Sequence, residues 1–310
     1  MQKLIVVCGP TATGKTELAV RLCRALSGEV VSADSMQIYS ELTIGTARPD
    51  ETEMGGVPHH LLGFVPPEES FSVADYVTAA RGAIDEIVAR GRQPVVAGGT
   101  GLYITSLCDG VRFGAFKGDS EVREQLRREA EEKGGGALLA RLREIDPEAA
   151  EKLHPNDVFR LTRALEIYLT TGVTKTEWER RSKAEAPAFD LRMIGLTFRN
   201  RATLYERIDR RVDRMVERGL VAEAERLWRR GLGGAQSMRA IGYKELVEHF
   251  EGRCTLAEAV AAIKQNSRRY AKRQLTWFRR DERISFLELD GLTAEQIAAA
   301  ALERVEDKMR

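Results

Sequence analysis

What this chain has little of narrows its class first. Four cysteines occur in 310 residues (Cys8, Cys23, Cys108, Cys254), and no two form a C-x-x-C pair. That argues against a disulfide scaffold or a thiolate zinc site and suits a reducing compartment, with the thiols acting as small buried hydrophobes. No apolar run approaches the length of a membrane span, and the start carries no apolar signal core with a cleavage site. The expected location is the cytoplasm, with no membrane partner. Histidine is scarce at four residues, and the adjacent pair in PHHL (His59, His60) lacks the i, i+4 spacing of a helical metal site. Structural or substrate-adjacent histidines are expected there. Net charge is also nearly absent, at +1, but that average is uneven. Lys264 to Arg283 holds eight basic residues against Asp281 and Glu282, a local +6 that leaves about −5 for the rest.

What is present begins with GPTATGKT, Gly9–Thr16, which fits G-x-x-x-x-G-K-[ST]. Gly9, Pro10, Thr11, Ala12, Thr13 and Gly14 form a loop whose backbone N–H groups can point at phosphate oxygens. Lys15 adds a point charge, and Thr16 offers a hydroxyl to Mg2+. The apolar run Leu4–Cys8 before it reads as a buried strand, and Glu17–Leu26 after it as a helix whose positive end faces the anion. A phosphate or diphosphate site follows. EVVSADS (Glu29–Ser35) reads as a second buried strand that brings Asp34 to a strand's carboxyl end, where ligands bind in parallel α/β sheets. MQIYSELTIGTARP has neither period and reads as a long functional loop. Ser72 and Asp75 cap a helix over FSVADYVTAARGAIDEIVARG, with Phe71 able to staple onto Tyr76 and Gly91 ending it. QPVVAGGTGLY (Gln93–Tyr103) is a third strand entering a second glycine turn, with Thr100 directed either at a ligand or simply within a tight turn.

From about Phe116 strands give way to charged amphipathic helices over Asp119–Lys133, Ala137–Ile145 and Asp157–Thr170, an all-helical insertion running to about Ala188. Arg160 and Arg163 share a helical face there, free to meet a ligand or to be solvated beside Glu166. Leu191–Phe198 resumes the sheet. Ala202–Arg218 is a helix carrying Arg207 and Arg211, which either clamp a diphosphate or pair with Glu206 or Asp213. SMRAIGYKEL reads as a short loop. Thr255 and Glu258 form a capping box for a basic helix whose apolar side runs through Leu256, Val260, Ile263 and Tyr270. Lys264, Arg268 and Lys272 recur every four residues, and Arg269 and Arg273 widen the stripe. With Tyr270 and Trp277 interleaved, this matches a surface that tracks an RNA backbone. Ile284–Leu289 is a candidate final strand, followed by a short helix. The fold class expected is α/β: a P-loop NTPase-like core with a mainly parallel sheet flanked by helices (1–115 and 189–310), plus the helical insertion domain (116–188).

The glycine loop alone suggests an ATP-dependent kinase, but a kinase acting on a small molecule has no use for the basic helix. Taken in order, GPTATGKT, SADSMQIY followed by IGTARP, PHHL, FSVADY, AGGTGLY, HPNDVFRLTRALE, AIGYKE and RRYAKRQLTWFRR resemble the bacterial tRNA dimethylallyltransferases from Leu4 to about Arg280. The resemblance implies transfer of a dimethylallyl group from dimethylallyl diphosphate to N6 of the adenosine 3′-adjacent to the tRNA anticodon. The P-loop would then hold a diphosphate leaving group with Mg2+ on Thr16. Asp34 suits the role of proton acceptor for the adenine amine. Lys15, Thr16 and either Arg207 or Arg211 would stabilise the departing charge. The resemblance also implies tRNA contacts at Asp34, Ser35, Met36, Gln37, Thr100, Arg123, Phe159, Arg160, Leu161, Thr162 and Arg163. Further contacts would lie at Ala240, Ile241, Gly242, Tyr243, Lys244, Glu245, Arg268, Arg269, Lys272, Arg273 and Arg280. The anticodon stem-loop is the expected partner and a monomer the expected state. Ser40 departs from the family pattern where a basic residue is usual, and Asn266-Ser267 replaces a more usual Thr-Arg pair. No C-terminal Cys/His zinc-finger spacing is present, which argues against the longer eukaryotic type.

Overall fold

The computed structural model describes residues 1–111, 118–182 and 189–306. In chain order the elements begin with β1 (Gln2–Cys8), α1 (Lys15–Leu26), β2 (Gly28–Ser32), α2 (Glu51–Met54) and β3 (His59–His60). They continue with α3 (Val73–Ala89), β4 (Gln93–Gly98) and α4 (Gly101–Cys108). Then come α5 (Ser120–Lys133), α6 (Gly135–Ile145), α7 (Pro147–Glu151), α8 (Val158–Thr171) and α9 (Lys175–Ser182). The chain closes with β5 (Phe189–Thr197), α10 (Arg201–Glu217), α11 (Leu220–Arg229), α12 (Tyr243–Phe250), α13 (Leu256–Phe278), β6 (Ile284–Glu288) and α14 (Ala294–Glu306). It divides into two compact units, one of residues 1–108 with 188–310 and the other of 109–187. The junctions expected at 115–116 and at 188 lie outside the described residues.

The first unit is built on one sheet of order β3-β2-β4-β1-β5-β6, and every pairing in it is parallel. Its strands are continuous apolar runs because both faces are covered. Along β1, Leu4, Val6 and Cys8 join a core with α3 and α4, while Ile5 and Val7 join a second with α1 and α14. The chain leaves β1 towards β2 on one side and later returns to β5 on the other. The turn after β1 is therefore the crevice where such sheets bind ligands. A third core packs α11, α12 and α13 against Ile38, Tyr39 and Leu42, and so tethers the loop that follows β2.

Several elements differ from the sequence reading in detail. β4 stops at Gly98, and Gly101–Tyr103 already belongs to α4, because the paired glycines let the chain turn from extended to helical. PHHL supplies a two-residue edge strand beside β2. The stretch expected as a loop at Ser237–Leu246 becomes helical from Tyr243, where Glu245 accepts from the Gly242 N–H and Tyr243, Leu246 and Val247 are buried. On α13 the buried residues are Ala259, Ile263, Ala271, Gln274 and Phe278, whereas Leu256 is exposed.

In the second unit α5, α6, α7 and α8 enclose a core of Leu126, Leu138, Leu139, Leu142, Leu161 and Leu165. Asp119 caps α5, Asp146 caps α7 ahead of Pro147, and Asp157 caps α8. Each such cap is worth about 1 kcal/mol.

Candidate active site

The glycine loop sits at the carboxyl end of β1. Gly9 has φ +140°, and a Cβ there would lie 2.6 Å from the Leu196 carbonyl oxygen, so no other residue fits. The Thr13 hydroxyl donates to the Pro10 carbonyl (2.8 Å), as does Lys15 Nζ (2.7 Å). Burial, and secondarily the Arg211 charge, lower the Lys15 pKa to about 8 against the opposing Asp34 charge. Arg211 donates to the Thr46 carbonyl (3.4 Å), and burial lowers its own pKa while Asp34 raises it. Arg207 donates from Nε to the Ala12 carbonyl (2.9 Å) and lies 5.4 Å from the centre of the Phe198 ring. The two arginines therefore have different places. Arg207 sits on the glycine loop, and Arg211 belongs to the same electrostatic cluster as Lys15 and Asp34.

Asp34 lies just beyond β2. Its Oδ1 accepts from the Met36 N–H (2.9 Å) and the Gln37 N–H (3.2 Å), which fixes the carboxylate through one oxygen. Thr100 Oγ1 accepts from the Ser35 N–H (3.0 Å) and donates to the Ser35 hydroxyl (3.3 Å). The Thr100 N–H donates to the Ala33 carbonyl (3.1 Å), so the two strand ends are locked together. The Tyr270 hydroxyl, from α13, is pushed up to about 12 by burial and secondarily by the Asp34 charge.

The loop carrying Thr46 is held from below by Glu223 of α11. That buried carboxylate accepts from the N–H groups of Thr43 (3.1 Å), Ile44 (3.0 Å) and Gly45 (3.0 Å), from the Thr43 hydroxyl, and from the Tyr243 hydroxyl (2.5 Å). Desolvation pushes its pKa up, but the bonds from Ile44, Thr43, Tyr243 and Gly45 outweigh it and hold the group below its ordinary value. Gln37 spans the same loop, donating to the Thr46 and Ala47 carbonyls (both 3.2 Å). Gln274 of α13 joins the two glycine turns: Oε1 accepts from the Thr11 N–H (3.0 Å) and Nε2 donates to the Gly99 carbonyl (2.8 Å). Sequence reasoning passed over both: Glu223 belongs to no recognisable local motif, and Gln274 lies within RRYAKRQLTWFRR but was overlooked beside its basic residues.

The residues expected to meet RNA fall into distinct groups. Arg269, Lys272, Arg273 and Arg280 are exposed and line a groove with Thr276 and Trp277. Lys264 and Arg268, from the same stripe, are instead turned onto α10, where they pair with Asp213 (2.5 Å) and Asp209 (2.5 and 2.7 Å). Phe159 and Arg160 are exposed on α8, and Lys244 is exposed on α12. Leu161, Thr162, Ala240, Gly242, Tyr243 and Glu245 are buried, and Ile241 is partly covered. Leu161 packs in the helical core, Tyr243 binds Glu223, and Glu245 accepts from Asn266 Nδ2 (2.7 Å), which gives that departure from the family pattern a structural use. Arg123 (2.8 Å) and Arg163 (3.0 Å) both pair with the fully buried Glu166.

His60 Nε2 lies 2.6 Å from the buried Glu29 carboxylate, which also pairs with Arg90 (2.7 Å), and His59 Nδ1 lies 2.8 Å from the Val57 carbonyl. Both histidines thus have structural partners. Among the described residues no cluster of three His, Cys, Asp or Glu could cage a metal. Thr16 at the head of α1 offers a hard oxygen, which suits Mg2+, an ion that keeps its waters and leans on substrate phosphates more than on protein cages.

Residues 37–281 match the family described as IPP transferase, and residues 2–62 match the isopentenyl transferase family. The chain belongs to the IPP transferase family. Among its relatives, the tRNA dimethylallyltransferase of Bacillus cytotoxicus is 45% identical over 309 residues, covering 100% of this chain and 96% of the relative. The tRNA dimethylallyltransferase of Caldanaerobacter subterraneus is 45% identical, covering 99% of each. The tRNA isopentenylpyrophosphate transferase structure from Bacillus halodurans superposes with a TM-score of 0.74 at 43% identity, over 99% of this chain and 97% of that one. A eukaryotic dimethylallyltransferase acting on tRNA superposes with a TM-score of 0.82 at 28% identity, over 98% of this chain and 79% of that one.

Proposed function

We propose that this IPP transferase family member transfers the dimethylallyl group of dimethylallyl diphosphate to N6 of the adenosine immediately 3′ of the anticodon in tRNA. The observation that carries the reading is the convergence of Lys15, Arg211 and Asp34 at the glycine loop, two cations for a leaving diphosphate beside one carboxylate. The N6–C1 bond forms as the C1–O bond to diphosphate breaks. The N6 proton, which becomes acidic only as nitrogen acquires the new bond, passes to Asp34. The loop amides of Gly9–Thr16, Lys15 and Arg211 stabilise the charge gathering on diphosphate, and Arg207 fixes the loop at Ala12. Mg2+ on Thr16, when bound with the substrate, supplies further charge neutralisation.

The target adenine must leave the anticodon-loop stack to reach Asp34, at a cost of a few kcal/mol. The exposed cations of α13 are suited to grip the backbone, and Phe159 with Arg160 offers a base-stacking surface of its own. In this reading the protein works as a cytoplasmic monomer on the anticodon stem-loop. The test is incubation with unmodified tRNA, Mg2+ and radiolabelled dimethylallyl diphosphate, followed by nucleoside analysis. Label in free adenine nucleotides alone, or no transfer to either tRNA or free nucleotide, contradicts the reading. Label in N6-dimethylallyladenosine from the anticodon loop supports it.

A further inference from the structure

The inner face of α13 reaches the reaction centre from the same helix whose outer face is basic. Tyr270 and Gln274 follow at i and i+4, so they share one side, and Trp277 at i+7 stands at its border with the cationic groove. Trp277 donates from Nε1 to the Thr105 hydroxyl (3.1 Å), and Gln274 is 6% exposed. The Gln274 amide binds backbone at both ends, with its acceptor on Thr11 of the phosphate loop and a donor on Gly99 of the second glycine turn. Gly99 is shaped to admit it, since a Cβ there would lie 2.3 Å from Gln274 Nε2. The neighbouring side chains Arg273 and Lys272 point outward into the cationic groove. A helix that binds polyanion on one side thus holds the phosphate loop on the other, through one amide.

We propose that Gln274 is a positioning residue that couples occupancy of the basic groove to the geometry of the diphosphate loop. This rests on the reading that the groove takes RNA and the loop takes diphosphate. By fixing the Thr11 N–H, the amide sets the curl of the loop, and the remaining N–H groups then converge on phosphate. RNA seated on Lys272 and Arg273 steadies α13, and the loop is steadied with it. Binding at either place therefore strengthens binding at the other by the same factor.

The test is calorimetric titration of the full chain with inorganic diphosphate and Mg2+, with and without an anticodon stem-loop RNA. It is run on the wild type, on Gln274→Met and on Gln274→Glu, with folding checked by thermal melting. In the wild type the RNA is expected to tighten diphosphate binding by about fivefold or more. Gln274→Met, similar in shape but unable to hold Thr11, should weaken diphosphate binding about tenfold and abolish the RNA effect, with RNA affinity itself within about twofold. Gln274→Glu keeps the acceptor for Thr11 and should fall between the two. Unchanged diphosphate binding in a folded Gln274→Met, or a loss confined to RNA affinity, overturns the coupling role alone. A wild type that binds neither diphosphate nor RNA overturns the reading of the site and the inference with it.

Discussion

Lys15 gives the site a pH signature. In the proposed role Lys15 meets diphosphate as an ammonium, and burial together with Arg211 has brought its pKa in the free protein down to about 8. Diphosphate binding restores the proton, so affinity should be level below pH 8 and fall above it, approaching tenfold per unit. Titrations with inorganic diphosphate from pH 7 to 9.5 measure this, and Lys15→Met should bind more weakly with the slope gone. The same shift acts on folding with the opposite sense. Between pH 8 and the unfolded value of 10.5 the unfolded chain holds more protons on this group, so its contribution to stability rises with pH there. At Asp34 the expected consequence is catalytic. Asp34→Asn keeps an oxygen for the Met36 and Gln37 N–H groups and loses the proton acceptor. Single-turnover transfer should drop about 10²–10⁴-fold with RNA affinity nearly unchanged; retained turnover would remove Asp34 from the role.

The loop of residues 43–47 has no regular structure, yet it is held as firmly as an element because Glu223 collects its N–H groups. Glu223→Ala should strand those donors and the Tyr243 hydroxyl, costing about 2–3 kcal/mol in urea unfolding. Because the folded pKa of Glu223 lies below its ordinary value, its stabilisation is complete above the unfolded pKa and is lost as pH falls through the folded one. The difference between wild type and Glu223→Ala should therefore shrink in acid, and a difference constant with pH would contradict the account. Glu223 also shows where sequence reasoning stops. Strands β1, β2, β4, β5 and β6, with α1, α3 and the capped start of α13, were legible because period and caps are local signals, whereas the two-residue β3 was too short to show either. The segment from Tyr243 misled, since its glycine suggests a loop while its helix depends on burying Tyr243, Leu246 and Val247. Glu223 binds a loop 180 positions away and Gln274 a loop 263 positions away, and no local pattern reports such partners.

At the scale of the whole molecule, the basic stripe that sequence presents as a single surface is divided by the fold. Periodicity alone places Lys264, Arg268 and Lys272 on one line, but α10 lies against part of it and supplies Asp209 and Asp213. Those carboxylates neutralise Lys264 and Arg268, whereas Arg269 and Lys272 remain in the open groove. The division makes a quantitative expectation for RNA binding measured as a function of salt. Each cation that displaces counterions contributes about 0.7–0.9 to the slope of log affinity against log salt. Arg269→Ala and Lys272→Ala should each flatten the slope by about that amount and weaken binding across RNA sequences alike. Arg268→Gln should leave the slope almost unchanged and cost stability of about 1 kcal/mol or less, because it leaves Asp209 without its partner. Equal flattening by all three substitutions would mean that the Asp209 pairing opens on binding and that the stripe acts undivided. A loss confined to Arg269 and Lys272 would fix the RNA-facing side of α13 as the side away from α10.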